Sequence, residues 1–425
     1  MAKIKIPYGH QSISCEVDDA RFSGFMNSSL TDSQPVLSGA ELVKNALDQP
    51  IASSKLCDLA VGKRNIVLIT SDHTRPVPSK IITPLLLEEI RRGNSLADIT
   101  ILVGTGCHRE TTKEELLAKF GEDIIAGEEI VIHDCDASKV GYLGQAPSGA
   151  DIYVNELALK ADLLVAEGLI EPHFFAGFSG GSKSVMTGLA DRSSVLENHN
   201  AEFIAHPAAR TGIMEGNPIQ KDIQFAGRKA NLAFICNVVI NASKEIVYAV
   251  AGDCIEAHSQ GCQFVRNHFE RKNQKADIVI TSNGGYPLDQ NVYQAVKGMT
   301  AAEAAVNQGG VIIMVAQSSD GIGGSEFYRT FAEEKTLAAI VEKIRQTPAK
   351  KTRIDQWQSQ ILARVLQKAR VVYVSEVDDE LIENMHLVPA HSLPEALDIA
   401  QALLKKPAAT VSAIPDGVSM IIKPD

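Results

Sequence analysis

The sequence NIVLITSDHTRPVP, residues 65–78, decides the fold class. It begins with a continuous run of Ile, Val and Leu, turns polar at Ser71, and is followed by apolar residues at helical spacing over 81–92. A run that is apolar at every position suits a strand buried on both faces, as in a parallel sheet. The stretch therefore predicts a strand, a polar loop and a helix, in that order.

The same order of apolar run, turn and helical pattern recurs along the chain. Further strands are predicted over 99–106, 129–134, 161–168, 232–240, 276–285, 309–317, 369–376 and 418–423. Further helices are predicted over 112–120, 337–345, 355–368 and 394–405. This alternation predicts an α/β protein with two Rossmann-like domains, mostly parallel sheets and an active-site cleft between the domains.

The polar segment 271–275 is the best candidate for a domain boundary, because a new strand, glycine turn and helix begin directly after it. We expect an N-terminal domain over 1–275 that binds the cofactor and carries catalysis. The C-terminal domain covers 276–425, and its last strand is free to pack back on the first domain.

Composition excludes several classes of protein. The chain of 425 residues has 52 acidic and 41 basic side chains and a net charge of −11, which disfavours nucleic acid and anionic membranes as partners. No apolar run reaches the length of a membrane span, and the N-terminus lacks the pattern of a secretion signal. The seven cysteines are never spaced C-x-x-C. We therefore expect a soluble cytoplasmic protein without a zinc-ribbon site.

Polar side chains follow two of the predicted strands at the points where ligands of parallel sheets bind. Asp72, His73, Thr74 and Arg75 follow the first strand, and His108 follows the next. Arg suits a bidentate grip on a carboxylate or phosphate. The alternative for the first group is a helix N-cap made by Asp72 or by the serine before it.

A third strand end leads into EPHFFAGFSGGSKS, residues 171–184. Aromatic side chains beside His173 would exclude water, and backbone amides of the glycine-rich turn suit an anion. The turn has nearly the Walker A spacing, but Ser182 replaces the second required glycine, so nucleotide triphosphate hydrolysis is disfavoured. Lys183 is instead interpreted as a desolvated amine with a lowered pKa, a kind that forms covalent adducts.

Two further groups are candidates for the site. His199 lies in a part of the chain that holds six of the eleven histidines, which indicates either metal binding and acid–base work or a set of surface histidines. In the C-terminal domain, a turn NGGYP at 283–287 opens a helix at about residue 289, on which Tyr293 and Lys297 share one face.

Long motifs in a fixed order resemble the nickel-dependent lactate racemase family over nearly the whole chain. They are SDHTRPVP (71–78), TGCHR (105–109), HFFAGFSGGSKSV (173–185), ENH (197–199) and NGGYPLDQNVYQAVKGM (283–299). The resemblance implies a nickel-pincer cofactor, pyridinium-3,5-bisthiocarboxylic acid mononucleotide with bound nickel. It implies that Lys183 holds the cofactor covalently, that His199 is the protein ligand of nickel, and that His108 and His173 are the paired acid–base groups.

The resemblance assigns the remaining site residues as a group. Arg75 and Lys297 are catalytic and touch the cofactor, Trp357 is a wall of the site, and the other cofactor-binding side chains are Asp72, His73, Thr74, Tyr293 and Gln294. The implied reaction interconverts the D and L forms of a small 2-hydroxy acid, lactate above all, by hydride transfer through a 2-keto acid. Enzymes that synthesise the cofactor are the implied partners for maturation.

Elementary chemistry agrees with a hydride route. Removing the C2 proton of a 2-hydroxy acid would create a dianion, whereas hydride transfer needs only a base for the hydroxyl proton on each side. Arg75 would hold the carboxylate, and Lys297 would polarise the keto oxygen.

Three residues depart from the pattern of lactate-specific members. Ser182 stands where some members have Arg, and Cys107 and Glu110 stand where they have Phe and Pro. The alternatives are therefore a racemase or epimerase for malate, an aryl-lactate or a sugar acid, or a non-catalytic protein that binds a mononucleotide or phosphosugar.

Overall fold

The computed structural model describes residues 1–30 and 35–423. Contacts divide the chain into two compact units. The C-terminal unit comprises Met1–Ser29, His199–Ala205 and Phe269–Asp425. The N-terminal unit comprises Leu30–Asn198 and His206–His268.

The strands follow most of the apolar runs of the sequence. They are β1 Ala2–Tyr8, β2 Gln11–Val17, β3 Phe22–Phe25, β4 Asn65–Ser71, β5 Asp98–Gly104, β6 Glu129–Ile132, β7 Val140–Gln145, β8 Asp151–Asn155, β9 Leu163–Leu169, β10 Pro172–His173, β11 Gly177–Phe178, β12 Leu232–Ile240, β13 Ile246–Gly252, β14 Glu270–Lys272, β15 Ala276–Ser282, β16 Val306–Val315, β17 Arg370–Val374, β18 Val388–Ala390, β19 Val411–Ile414 and β20 Ile421–Lys423.

The helices connect these strands. They are α1 Gly39–Asp48, α2 Leu56–Ala60, α3 Ser79–Gly93, α4 Lys113–Phe120, α5 Glu122–Gly127, α6 Glu156–Lys160, α7 Arg192–Asn198, α8 Ala201–Ala205, α9 Pro218–Lys229, α10 Glu256–Phe269, α11 Val292–Ala305, α12 Ser325–Ala332, α13 Leu337–Arg345, α14 Gln356–Lys368, α15 Asp379–Asn384 and α16 Leu393–Leu404, with short 3-10 turns at Gly181–Ser184 and Ala349–Lys351. Within the part of the chain that the structure describes, each helix is too short or too polar to cross a membrane.

The N-terminal unit is built on a six-stranded sheet in the order β6-β5-β4-β9-β12-β13. The first five of these strands run parallel, and β13 pairs antiparallel with β12. In chain order this is the 3-2-1-4-5-6 arrangement of a Rossmann-like sheet, whose order reverses between β4 and β9. Ligands of such sheets bind beyond the strand ends at that reversal, so β4 and β9 define where the site of this unit is sought.

The C-terminal unit has a second six-stranded sheet, in the order β18-β17-β16-β15-β19-β3, with every neighbouring pair parallel. The central strands of both sheets are buried along most of their length, as Ile66, Leu68, Ile278 and Ile313 show. The predicted α/β class with mostly parallel sheets is therefore confirmed.

Three details of the structure bear on the expectations drawn from sequence. Residues 1–29 precede the expected boundary at 275 yet group with the C-terminal unit, because β3 pairs with β19 at its sheet edge. The closing strand β20 pairs with β14, which lies just before that boundary. The helix expected from about residue 289 begins at Val292, because the Asn291 side chain accepts a hydrogen bond from the Gln294 amide and caps it.

Candidate active site

The polar loops of the N-terminal unit follow β4, β5 and β9, which are neighbours at the centre of its sheet. Asp72 and Arg75 follow β4, His108 follows β5, and His173 follows β9. Because parallel strands end at the same sheet edge, these side chains converge on the reversal of strand order. Asp72 and His108 are in direct contact, and the charge of Arg75 acts on the Asp72 carboxylate.

Asp72 is the centre of this cluster. Its carboxylate is 2% exposed and accepts hydrogen bonds from His108 Nδ1 at 2.7 Å and from Thr74 Oγ1 at 2.6 Å. Burial tends to raise the pKa of Asp72, but the bond to His108, the charge of that ring and the Thr74 hydroxyl lower it to about 2. Asp72 is therefore ionised at neutral pH. It does not cap helix α3, whose N-cap position is Pro78, so the cap interpretation is wrong.

Arg75 and His73, the residues on either side of Thr74, contact different partners. Arg75 places Nε 3.8 Å from Glu171 Oε1 and Nη1 3.2 Å from the carbonyl oxygen of Thr74. Its side chain is 28% exposed, which leaves part of the guanidinium open to a ligand. His73 has its Nδ1 atom 3.2 Å from Thr111 Oγ1, and burial lowers its pKa.

His173 lies in a short hairpin formed by β10 and β11 and is surrounded by aromatic rings. Its ring stacks on Phe174 at a centroid distance of 5.0 Å and meets the edge of Phe175 at 4.5 Å. The amide of Ala176 donates to His173 Nδ1 at 3.2 Å. Since this nitrogen accepts, the neutral ring carries its proton on Nε2.

Lys183 lies in the 3-10 turn Gly181–Ser184, in the same unit. Its Nζ atom donates to Thr187 Oγ1 at 3.2 Å. Desolvation by the surrounding protein and the positive charge of Arg75 together lower the pKa of Lys183 to about 8, although the negative charges of Glu171 and Asp72 partly oppose them. About a tenth of this amine is therefore uncharged and nucleophilic at about pH 7, far more than for an ordinary lysine.

Glycine is required two and three residues before Lys183. Gly180 and Gly181 have φ angles of 79° and 56°, in the left-handed region. A Cβ atom at Gly180 would lie 2.8 Å from Asn237 Oδ1, and one at Gly181 would lie 2.6 Å from the His258 ring. The turn leads into a 3-10 segment of four residues and not into an α-helix, which agrees with the rejection of a Walker A loop.

The candidate residues of the C-terminal unit lie on α11 and around α14. Along the first turns of α11 the helix is buried except at Tyr293, Gln294 and Lys297, which keep partial exposure on an otherwise covered helix. His199 is 6% exposed, and its ring meets Trp357 edge to face at a centroid distance of 5.2 Å.

The beginning of α14 also contacts the first turn of α11. Gln358 directly follows Trp357 in the sequence, and its side chain donates a hydrogen bond to the backbone oxygen of Tyr293. The structure therefore brings His199, Trp357 and Tyr293 to the same end of α14, within one unit.

Sequence reasoning missed several side chains of the N-terminal cluster. Glu171 faces Arg75, Thr187 binds Lys183, and Glu167 is a buried carboxylate that accepts from the hydroxyls of Thr70 and Thr83 at 2.6 and 2.8 Å. A signal existed for Glu167, because it is the single charged residue inside the apolar run of β9. Thr187 follows Lys183 by four residues, but nothing in the sequence shows that the two side chains meet.

A Rossmann-like sheet with an ionised Asp–His pair, a cation and a desolvated lysine at its strand-order reversal defines an α/β enzyme with acid–base groups. The comparisons identify its family. Residues 8–212 match the family model "Lactate racemase N-terminal domain", and residues 271–422 match "Lactate racemase C-terminal domain". The chain belongs to the lactate racemase family, which is a family of isomerases.

Relatives support this assignment over their full length. The chain is 50% identical to the lactate racemase of Thermoanaerobacterium thermosaccharolyticum and 49% identical to that of Lactiplantibacillus plantarum, each over 425 residues and all of both chains. The structure of the T. thermosaccharolyticum lactate racemase apoprotein matches with a TM-score of 0.96 and covers 99% of this chain and 100% of that one. A protein from Thermotoga maritima, 17% identical, shares the fold with a TM-score of 0.64, covering 93% of this chain and all of its own.

Proposed function

We propose that this protein is a racemase that interconverts D- and L-lactate by hydride transfer through a 2-keto acid, with a nickel-pincer nucleotide attached to Lys183. The observation that carries the proposal is the Asp72–His108 pair, joined at 2.7 Å, in the same cluster as a lysine whose pKa is lowered to about 8. The relatives named lactate racemase support the choice of substrate.

His108 is proposed as the base that takes the hydroxyl proton of the substrate. An ionised Asp72 can only accept hydrogen bonds, so Nδ1 of His108 must carry a proton. The other nitrogen, Nε2, is then unprotonated in the neutral ring and can accept a proton. The bond to Asp72 also fixes the orientation of the ring.

His173 is proposed as the partner of His108 on the other side of the substrate. In the neutral ring its Nε2 atom carries the proton, because Nδ1 accepts from Ala176. Nε2 of His173 is thus arranged to donate a hydrogen bond, whereas Nε2 of His108 is arranged to accept a proton. A pair with these opposite preferences suits a reaction in which an alcohol becomes a carbonyl and then an alcohol again.

Two cationic side chains are proposed to bind the negatively charged oxygens of the substrate. The guanidinium of Arg75 matches the two oxygens of a carboxylate, and its ion pair with Glu171 at 3.8 Å leaves it able to turn toward a ligand. Lys297 is proposed to stabilise the keto oxygen as charge develops on it.

The residues present fit the implied cofactor. The desolvated amine of Lys183 is the nucleophile that a covalent attachment needs. His199, buried beside Trp357, is proposed as the protein ligand of nickel, an ion that imidazole suits. When bound, the nickel-pincer nucleotide supplies the acceptor and donor of the hydride.

Hydrogen bonds hold three of the other residues that are proposed to contact the cofactor. Asp72 and Thr74 are fixed by their mutual hydrogen bonds, and His73 by Thr111. Tyr293 and Gln294 are the partly exposed residues at the start of α11. We propose in addition that the enzyme works in the cytoplasm and is matured by cofactor-synthesis enzymes; its cysteines, all free, suit a reducing compartment.

Chiral chromatography tests the function. The cofactor-loaded enzyme is incubated with single enantiomers of lactate, malate, an aryl-lactate and a sugar acid, beside the variants His108→Gln and His206→Gln. We expect racemisation of lactate by the parent and by His206→Gln, whose exposed side chain is outside the cluster, and strong loss in His108→Gln. Selective turnover of another acid would replace lactate as substrate, and no turnover at full cofactor occupancy would favour a binding protein.

A further inference from the structure

Glu167 is a carboxylate placed inside the central sheet of the N-terminal unit. It is 2% exposed and lies in β9, whose other six residues are Leu, Val, Ala and Gly. A carboxylate in such surroundings is costly unless hydrogen bonds satisfy its oxygens. Glu167 has no part in the proposed reaction, so its place in the core needs a separate explanation.

Three buried hydroxyl groups supply the hydrogen bonds. Oε1 accepts from Thr70 Oγ1 at 2.6 Å and from the hydroxyl of Ser79, and Oε2 accepts from Thr83 Oγ1 at 2.8 Å. The three donors are at most 1% exposed, so water does not compete for them. A set made only of donors suits a carboxylate, whose oxygens only accept.

Two of these donors stand at opposite ends of one loop. Thr70 is the second-last residue of β4, and Ser79 is the first residue of α3. The residues between them, 71–78, form the loop that carries Asp72 and Arg75. Because Thr70 and Ser79 bind the same carboxylate oxygen, one side chain closes the 71–78 loop.

Strand pairing explains why Glu167 stands at this point. Strands β4 and β9 are paired in register up to Ile69 and Ala166. Thr70 and Glu167 are the next residues of the two strands, and a side-chain hydrogen bond joins them where the backbone pairing has ended. Glu167 therefore lies at the reversal of strand order, where ligands of such sheets bind.

The helix end of the 71–78 loop is tied to Arg75. The Ser79 amide donates to the Val77 oxygen at 2.8 Å, and the Val77 amide donates to the Arg75 oxygen at 2.8 Å. Pro76 and Pro78 restrict this backbone further, because a proline ring fixes its own φ angle. The position of Ser79 is therefore passed on to Arg75 through a chain of direct contacts.

We propose that Glu167 is a positioning residue, which fixes both ends of the 71–78 loop and thereby orients Asp72. Asp72 is two residues from the donor at the strand end, and its carboxylate accepts from His108 Nδ1 at 2.7 Å. The orientation of the loop is thus passed to the His108 ring. The consequence for racemisation rests on the proposed function, whereas the orientation of His108 does not.

Variants that each remove one hydroxyl separate positioning from general stability. Thr70→Val and Ser79→Ala remove the donor at one loop end and leave Oε1 with the other. Thr83→Val removes the donor to Oε2, which lies one helical turn inside α3, and leaves both loop ends bound. Thr83→Val is therefore the matched control, and in urea-induced unfolding it should be destabilised at least as much as the other two.

Nitrogen-15 NMR of the cofactor-free protein measures the orientation of His108. In the parent and in Thr83→Val, neutral His108 should carry its proton on Nδ1. In Thr70→Val and Ser79→Ala, a form protonated on Nε2 should appear beside it, because the bond to Asp72 is loosened. In the cofactor-loaded enzyme, lactate turnover at equal cofactor occupancy should fall about tenfold in these two variants and stay within about twofold of the parent in Thr83→Val.

Glu167→Gln is the conservative variant. It keeps an oxygen for the donors at the two loop ends and offers an amide to the Thr83 oxygen, so the NMR pattern of His108 should be that of the parent. Loss of that pattern in Glu167→Gln would overturn the role given to these hydrogen bonds.

The three hydroxyl variants decide between the two roles of Glu167. Equal changes of His108 in all three would mean that Glu167 only stabilises the fold, and an unchanged ring in Thr70→Val and Ser79→Ala would mean that the loop ends do not orient it. Either result would overturn the proposal. A parent enzyme that does not racemise lactate would refute the proposed function alone, since the NMR comparison needs no activity.

Discussion

Replacing Asp72 by asparagine tests the network that positions the proposed base. The Asp72 carboxylate is buried and accepts from His108 Nδ1 at 2.7 Å and Thr74 Oγ1 at 2.6 Å. Against burial, these bonds lower the pKa of Asp72 from its ordinary value of 3.8 to about 2. At about 1.36 kcal/mol for each pKa unit, the difference corresponds to about 2.4 kcal/mol of folding free energy.

The sign of the pH dependence follows from the direction of the shift. Because the pKa of Asp72 is lower in the folded than in the unfolded protein, its stabilisation is complete above about pH 4 and is lost as the pH falls through about 2. Asp72→Asn has the uncharged side chain at every pH. It should therefore cost about 2.4 kcal/mol at about pH 7 and roughly half of that at about pH 3.

The assay is urea-induced unfolding of the cofactor-free variant and parent at both pH values, followed by circular dichroism. Asp98→Asn is the control, since Asp98 is an exposed carboxylate at the start of β5 in the same sheet, and it should change stability by less than about 0.5 kcal/mol. If Asp72→Asn and the parent unfold alike at both pH values, the carboxylate is not held as described, and the assignment of the His108 proton to Nδ1 fails with it.

Three further predictions concern the other site residues. Intact-mass spectrometry of Lys183→Ala should show no cofactor adduct. In the parent, attachment of the cofactor should become faster as the pH rises toward the lysine pKa of about 8. An adduct retained in the variant would assign the attachment to another residue. Nickel loading should quench the fluorescence of Trp357, the sole tryptophan, whose ring contacts His199. His199→Ala should lose both the quenching and the metal while keeping its fold. Undiminished nickel content in this variant would exclude His199 as the ligand. Nitrogen-15 NMR of the cofactor-free protein should show the neutral form of His108 protonated on Nδ1 and the neutral form of His173 protonated on Nε2, with histidine-to-glutamine variants for assignment. The reverse pattern would contradict both proton assignments.

The fold could be predicted where burial alone determines the structure. The apolar run LAFICNVVI became strand β12 at its predicted limits, Leu232–Ile240, and the helix predicted over 337–345 is α13. Pairing between distant segments could not be predicted in this way. Strand β3 joins the edge of a sheet whose other strands lie more than two hundred residues away, and its four residues carry too little pattern to indicate that partner.

The site could be predicted to the level of loops but not of partners. The rule that ligands bind beyond strand ends placed Asp72 and His108 in one cluster, and the distance of 2.7 Å between them agrees. The rule says nothing about which side chains bind each other there. The Glu171–Arg75 contact joins loops that follow different strands, so only the packed loops reveal it.

His108 and His173 differ in the hydrogen-bond partner of their Nδ1 atoms, and this difference affects whether each ring can take up a proton at Nε2. The partner of His108 is a carboxylate, which accepts from Nδ1 whether the ring is neutral or doubly protonated, so proton uptake and return at Nε2 leave that bond intact. The partner of His173 is the Ala176 amide, a donor, which requires an unprotonated Nδ1. For His173 to take a proton at Nε2, its own proton must move to Nδ1, and the contact with Ala176 must open. Acting as a base at Nε2 is therefore compatible with the present contacts for His108, whereas for His173 it requires a rearrangement of the hairpin that carries both His173 and the aromatic rings around it.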